Sequence, residues 1–221
     1  MHLIDLSQTI SPDMPMFSDR WPRPTIGPWM SHSQSAFSGS YEGCTVEISQ
    51  VGFITSIGTY LDSPFHFDPN GQSIERLNLE QLVLPGLKVV CQGIQARQPI
   101  EPDCFAGLDL GGRAVLFQTG WSHYWGQAEY LEAPFLTENS ARALLDGGAA
   151  MVGVDFLVAD DMHNPRRPVH NLLLQQRVLI VENLTNLQAL PVEDFIFHAV
   201  PARISGAASF PVRAYAIVDD G

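Results

Sequence analysis

Three consecutive stretches constrain the fold of this chain most. Ala114-Val115-Leu116-Phe117 is a short apolar run that leads to Gly120-Trp121, and it reads as a buried strand. Next, Thr137 is placed to cap a helix, Ala141, Leu144 and Leu145 form its apolar stripe, and Gly147-Gly148 stops it. Met151-Val152-Gly153-Val154-Asp155 then reads as a second strand. Strand, helix and strand in this order predict one parallel pairing joined by a right-handed crossover.

Other stretches add mostly strands. Residues 2–10 alternate, with Leu3-Ile4-Asp5-Leu6 at the centre of a first strand, and Thr45-Val46-Glu47-Ile48-Ser49 alternates likewise. Residues 82–90 are apolar and β-rich around a Pro85-Gly86 break, Val178-Leu179-Ile180-Val181 reads as a buried strand, and 194–200 and 212–219 supply further apolar segments. Residues 20–43, with prolines, serines, Trp21 and Trp29, read as one long loop, a lid or an interface. Strands outnumber helices and no repeat is present, so the expected class is α/β: a mixed β-sheet core with packed helices. With 221 residues, 45% of them hydrophobic, the whole chain (1–221) is expected to form a single domain.

A net charge of −12 argues against nucleic acid and anionic membrane as partners and leaves a small molecule as the expected one. No stretch approaches the ~20 apolar residues that cross a bilayer. Met1-His2-Leu3-Ile4-Asp5-Leu6 lacks a basic region followed by an apolar run, so a cytoplasmic protein is expected. Cys44, Cys91 and Cys104 are scattered and read as reduced, structural thiols.

The chemistry-bearing stretch is Ser56-Ile57-Gly58-Thr59-Tyr60-Leu61-Asp62-Ser63-Pro64-Phe65-His66. Read as extended, it places Ser56, Gly58, Tyr60, Asp62, Pro64 and His66 on one side, with Leu61 and Phe65 as core anchors on the other. Residues four apart in a straight strand stand about 13 Å from each other, so Asp62 and His66 share a site only if the backbone bends, and Pro64 is the place for the bend. The alternative is a plain strand leading into a turn, with Asp62 as a turn acceptor. Glu182 follows four apolar residues and is expected at the end of a buried strand, where a carboxylate needs a metal, an ion pair or hydrogen bonds. His2, His32, His123, His163 and His198 read as bystanders.

This stretch resembles the signature of the bacterial cyclase family, which includes kynurenine formamidase-like and isatin hydrolase-like enzymes. The family pattern is H-x-G-T-H-x-D-x-P-x-H. Gly58, Thr59, Asp62, Pro64 and His66 match it, while Ser56 and Tyr60 replace the first two histidines. The opening residues Asp5, Leu6, Ser7, Ile10, Met14 and Pro15, the run Thr119-Gly120-Trp121, His170 with Leu173-Leu174, and Glu182-Asn183-Leu184 with Asn186-Leu187 resemble further family motifs.

The resemblance implies a swivelling β/β/α fold, assembled as a homodimer or homotetramer. It implies an enzyme that hydrolyses an amide, lactam or lactone, or catalyses a related cyclisation or dehydration, on a small carbonyl compound. His66 would be the general acid/base. Asp62, His170 and Glu182 would hold one zinc or manganese ion, the two replaced histidines having been ligands. Trp21 and Ser56 would contact substrate. Two other readings stay open: metal-free acid–base chemistry by His66 and Tyr60, and a non-catalytic small-molecule-binding protein.

Overall fold

The structure is a computed structural model that describes residues 1–91 and 93–219. Its elements in chain order are β1 (His2–Asp5), β2 (Thr25–Met30), α1 (His32–Phe37), β3 (Ile48–Gly52), β4 (Tyr60–Asp62), β5 (Val83–Val90), β6 (Pro99–Ile100) and β7 (Ala114–Gln118). These are followed by β8 (Phe135–Leu136), α2 (Glu138–Asp146), β9 (Met151–Val154), α3 (Pro168–Gln175), β10 (Leu179–Glu182), β11 (Phe195–His198), β12 (Ser209–Pro211) and β13 (Tyr215–Val218).

Nine strands form one mixed sheet in the order β1-β13-β11-β5-β7-β9-β10-β4-β12. Its centre, β5-β7-β9-β10, is parallel, and all the flanking pairs are antiparallel. The expected β7–α2–β9 unit is present. Thr137 caps α2 by accepting from the Ser140 amide at 3.1 Å, and Gly147 ends it.

Strand alternation divides the core into two faces. Val115, Phe117, Val152, Val154 and Ile180 pack under Ala141 and Leu144 of α2 and Val169, Leu173 and Leu174 of α3. Ala114, Leu116, Met151, Leu179 and Val181 point the other way, against Ile4, Leu6, Leu61, Phe195, Phe197 and Ala216. The sheet therefore curls so that its β1-β13-β11 wing covers the face opposite the helices. A Ser7–Leu184 bridge pins the curl, with Thr185 N donating to Leu6 O at 3.0 Å. Gly153 permits this packing, because a Cβ there would sit 2.5 Å from Leu116 Cδ2 and 2.7 Å from Leu184 Cδ1. The layering is the expected β/β/α one.

Three local expectations are corrected. Residues 20–43 are not one loop: they contain β2 and α1, and β2 pairs with β3 as a hairpin. The strand expected at 45–49 lies at Ile48–Gly52, because pairing with β2 rather than the alternation of 45–49 decides its limits. Phe65 is not a core anchor but is 37% exposed, since the turn after Ser63 carries it outward. Among the described residues no helix is long and apolar enough to cross a membrane.

Candidate active site

The site is built on β4, which lies between β10 and β12. Register places Tyr60 opposite Glu182, and Asp62 opposite Ile180 on one side and Ser209 on the other. Directly opposed residues share a face, so Tyr60, Asp62, Glu182 and Ser209 all point toward the helix-covered side. Leu61, fully buried, anchors the other face. The extended reading of 56–66 holds only over Tyr60–Asp62, because Gly58 takes φ +60° and breaks the strand before it.

Beyond Asp62 the chain bends as expected. Pro64–His66 is a turn of 3-10 helix, with Pro64 at its start, and it brings His66 Nε2 to 3.7 Å from Asp62 Oδ1. The His66 side chain is 30% exposed, whereas Asp62 is fully buried, so His66 stands at the mouth.

Helix α3 delivers His170. Asp160 accepts from the amides of Val169 (2.8 Å) and His170 (3.0 Å), satisfying two N–H groups that the start of a helix leaves without partners. The same carboxylate lies 2.6 Å from His170 Nδ1. Nε2 is thereby turned toward Glu182 Oε1 at 3.3 Å and Asp62 Oδ2 at 3.7 Å. Phe67 stacks on the imidazole at 4.9 Å. Burial alone would depress the His170 pKa, but the carboxylates of Asp160, Asp62 and Glu182 lift it well above the usual imidazole range.

Glu182 Oε1 accepts from the Ala159 amide at 2.6 Å, and Oε2 accepts from the Tyr60 hydroxyl. Burial, reinforced by the charges of Glu182 and Asp62, raises the Tyr60 pKa, so the phenol stays protonated as a donor. Neither oxygen of buried Asp62 has a hydrogen-bond partner among the described residues. Ligand atoms of Asp62, His170 and Glu182 all lie within 4.8 Å of one another. Three buried carboxylates against one imidazole leave negative charge uncompensated, which is costly without a cation. The O, N, O donor set therefore fits one divalent ion.

The other expected residues lie to the side. Ser56 Oγ is 2.8 Å from Ser209 Oγ, the neighbour of Asp62 across the sheet. Trp21 is partly buried, 5.2 Å from the Phe17 ring, and packs on Met14, Met16 and Ile57, and among the described residues none of its interactions reaches the carboxylates. His32, His123 and His163 are exposed, and His198 stacks on Tyr215 on the far wing.

Three supporting residues were not singled out by sequence reasoning. Asp160 lies in a turn-rich segment, where an aspartate reads as a turn former. Asn183, at φ +59°, donates to Gly58 O at 2.7 Å and accepts from Tyr130 OH at 2.7 Å, while its own carbonyl accepts from Thr59 Oγ1 at 2.6 Å. It thus ties the two motifs together, and its place directly after Glu182 was the available signal. Asp155 accepts from the Thr119 and Gly120 amides, fixing the turn that leads to Trp121. Burial pushes its pKa up to about 6 against the pull of those hydrogen bonds.

The family model described as "Putative cyclase" matches residues 4–161. The chain belongs to the cyclase family. A kynurenine formamidase of Geobacillus thermodenitrificans is 27% identical over 213 residues, covering 96% of this chain and 95% of its own. A solved structure described as a predicted metal-dependent hydrolase from Bacillus stearothermophilus is 26% identical, with a TM-score of 0.74 over 97% of each chain. An isatin hydrolase A from Labrenzia aggregata shares the fold, with a TM-score of 0.86 at 23% identity over 99% of this chain and 94% of that one. The relatives of this cyclase-family chain are thus hydrolytic enzymes.

Proposed function

We propose that this cyclase-family protein hydrolyses a small amide, lactam or lactone, with Asp62, His170 and Glu182 holding a single zinc or manganese ion. The observation that carries this reading is the buried carboxylate of Asp62, without a hydrogen-bond partner among the described residues, facing His170 Nε2 and Glu182 Oε1. Aryl formamides and isatin-type lactams are the first substrates to try, given the names of the relatives. One ion rather than two is favoured because Ser56 and Tyr60 stand where the family motif has histidines.

When bound, such an ion would polarise the carbonyl and bring the pKa of water toward neutrality. The rest is the work of the chain. His66, at the mouth and 3.7 Å from Asp62, takes a proton from the attacking water and returns it to the leaving nitrogen or oxygen. Asp160 holds the His170 tautomer, and Tyr60 holds Glu182 by its hydroxyl. A metal-free mechanism using Tyr60 as the acid has less support, because that proton is already given to Glu182. Trp21 is less well supported as a substrate wall than His66 is as a proton carrier. We also propose self-association as a dimer or tetramer, on the exposure of Trp29 (62%) and Phe37 (90%) in the β2–α1–β3 arm.

Elemental analysis of the purified protein by plasma mass spectrometry tests the central claim. About one ion per chain, lost in Asp62→Ala and accompanied by turnover of a formamide or lactam, is the expected result. No ion after incubation with excess zinc and manganese overturns it.

A further inference from the structure

Beside Asp62, Thr55, Ser56 and Ser209 form a chain of hydroxyls. Ser209 Oγ lies 2.9 Å from Thr55 Oγ1 and 2.8 Å from Ser56 Oγ. Ser209 is 1% exposed and stands opposite Asp62 in the β4–β12 pair, so the two side chains share a face with Cβ atoms about 5 Å apart. Thr55 and Ser56 are only partly buried, so the chain of hydroxyls runs from beneath the sheet edge toward solvent.

Each hydroxyl brings one proton, and the two contacts between them use two of the three. Among the described residues these side chains bond only to one another, and neither oxygen of Asp62 accepts a hydrogen bond. One O–H is left over, and when Thr55 donates to Ser209 and Ser209 to Ser56 it is that of Ser56, whose partly exposed side chain can present it to a ligand beside Asp62.

We infer that the Thr55–Ser209–Ser56 hydroxyl chain offers its spare O–H to the carbonyl oxygen of the substrate, making Ser56 a hydrogen-bond donor to the oxyanion that forms during attack. The inference rests on the hydrolase reading given above. As the oxygen of water bonds to the carbonyl carbon, its proton passes to His66, and the C=O pair moves onto the carbonyl oxygen, where the hydroxyl donates to it. As that pair returns, the bond from carbon to the leaving nitrogen or oxygen breaks, and the leaving atom takes the proton from His66. A donor aimed at developing charge is worth about 100-fold or more in rate. Ser56 would in this way supply a neutral donor at a position where the family motif has a cationic metal site.

The test uses the metal-loaded wild-type protein beside Ser56→Ala, Ser209→Ala and Ser56→Thr, each checked for an unchanged thermal unfolding midpoint. Calorimetry measures the affinity for phenylphosphonate, whose tetrahedral anion resembles the adduct, and kinetics on a formamide and a lactam panel separate kcat from KM. Both alanine variants are expected to bind phenylphosphonate at least tenfold more weakly and to lose about 100-fold in kcat with little change in KM, and Ser56→Thr to recover both. Phenylphosphonate affinity that is the same in all four proteins, including no binding by any, overturns the inference whatever kcat does. Weaker binding in the alanine variants of a protein that turns over no carbonyl substrate would instead remove the hydrolase reading and leave the donor assignment standing.

Discussion

His170 Nδ1 and Asp160 Oδ2 are 2.6 Å apart, and this contact decides which nitrogen of the imidazole faces the carboxylates of Asp62 and Glu182. A histidine that gives its Nδ1 proton to a carboxylate presents an Nε2 lone pair, as a metal ligand must. Asp160→Asn keeps an oxygen for capping α3 but is uncharged. It should weaken metal binding about 10- to 100-fold, measured by competition with a chromophoric chelator. Nitrogen NMR of the metal-free protein should show the His170 pKa lowered toward the ordinary imidazole range. An unchanged affinity would reduce Asp160 to a helix cap.

Asp62 carries the cost of the site when no cation is bound. Asp62→Asn should therefore raise the stability of chelator-treated protein, by about 1–3 kcal/mol, since one of the three carboxylates gathered around the single buried imidazole of His170 is removed. The same variant should gain nothing from added zinc or manganese, while the wild-type unfolding temperature climbs with metal concentration. Thermal unfolding with and without chelator checks both halves. Equal midpoints for the two chelated proteins would mean that Asp62 is not the source of that cost.

On the single-ion reading, Ser56 and Tyr60 account for the reduced ligand set. In the double variant Ser56→His, Tyr60→His, the family motif is restored on an otherwise unchanged strand. Its metal content is expected to rise from about one ion per chain to about two by plasma mass spectrometry. A content that stays at one would show that more than these two side chains separates this chain from a two-metal site.

Asp155 predicts a pH dependence of stability. Its folded pKa, about 6, lies above the ordinary 3.8, so between these values the folded state holds a proton that the unfolded state has released. The stability that this proton confers is complete below pH ~4 and is lost as pH rises through ~6. Relative to Asp155→Asn, the wild type should lose on the order of 2–3 kcal/mol between pH 4 and pH 7. Denaturant unfolding of both proteins across that range checks it, since other titrating groups cancel in the difference. A flat difference would mean that the amides of Thr119 and Gly120 hold the carboxylate ionised throughout.

Local signals carried much of the fold. The apolar runs at 114–117 and 151–154 with a capped helix between them fix the parallel centre, because burial on both faces and a helical stripe are each visible in a short window. The bend at Pro64 was legible for a similar reason: proline constrains its own backbone wherever it sits. The pairing of Ser56 with Ser209 was not, since it joins residues far apart in sequence and depends on β12 docking beside β4. Nor was the β2–β3 hairpin, whose strands are largely exposed and so lack the buried alternation that marks a strand. Phe65 misled because an aromatic residue after a strand reads as an anchor, whereas the turn that serves His66 sends it outward.

The Ser7–Leu184 bridge and the β1–β13 and β4–β12 pairs have a consequence for how the protein comes into being. Strand β4 has its second neighbour only once residues 209–211 exist, and β1 waits for residues 215–218. Contacts this distant along the chain are slow to close. On the ribosome the parallel centre can form once residue 182 is out, but β4 stays half-paired until nearly the whole described chain has emerged. Strand β4 is then flanked on both sides, so a nascent chain that stalls short of β12 holds Asp62 and Glu182 on a strand with one open edge.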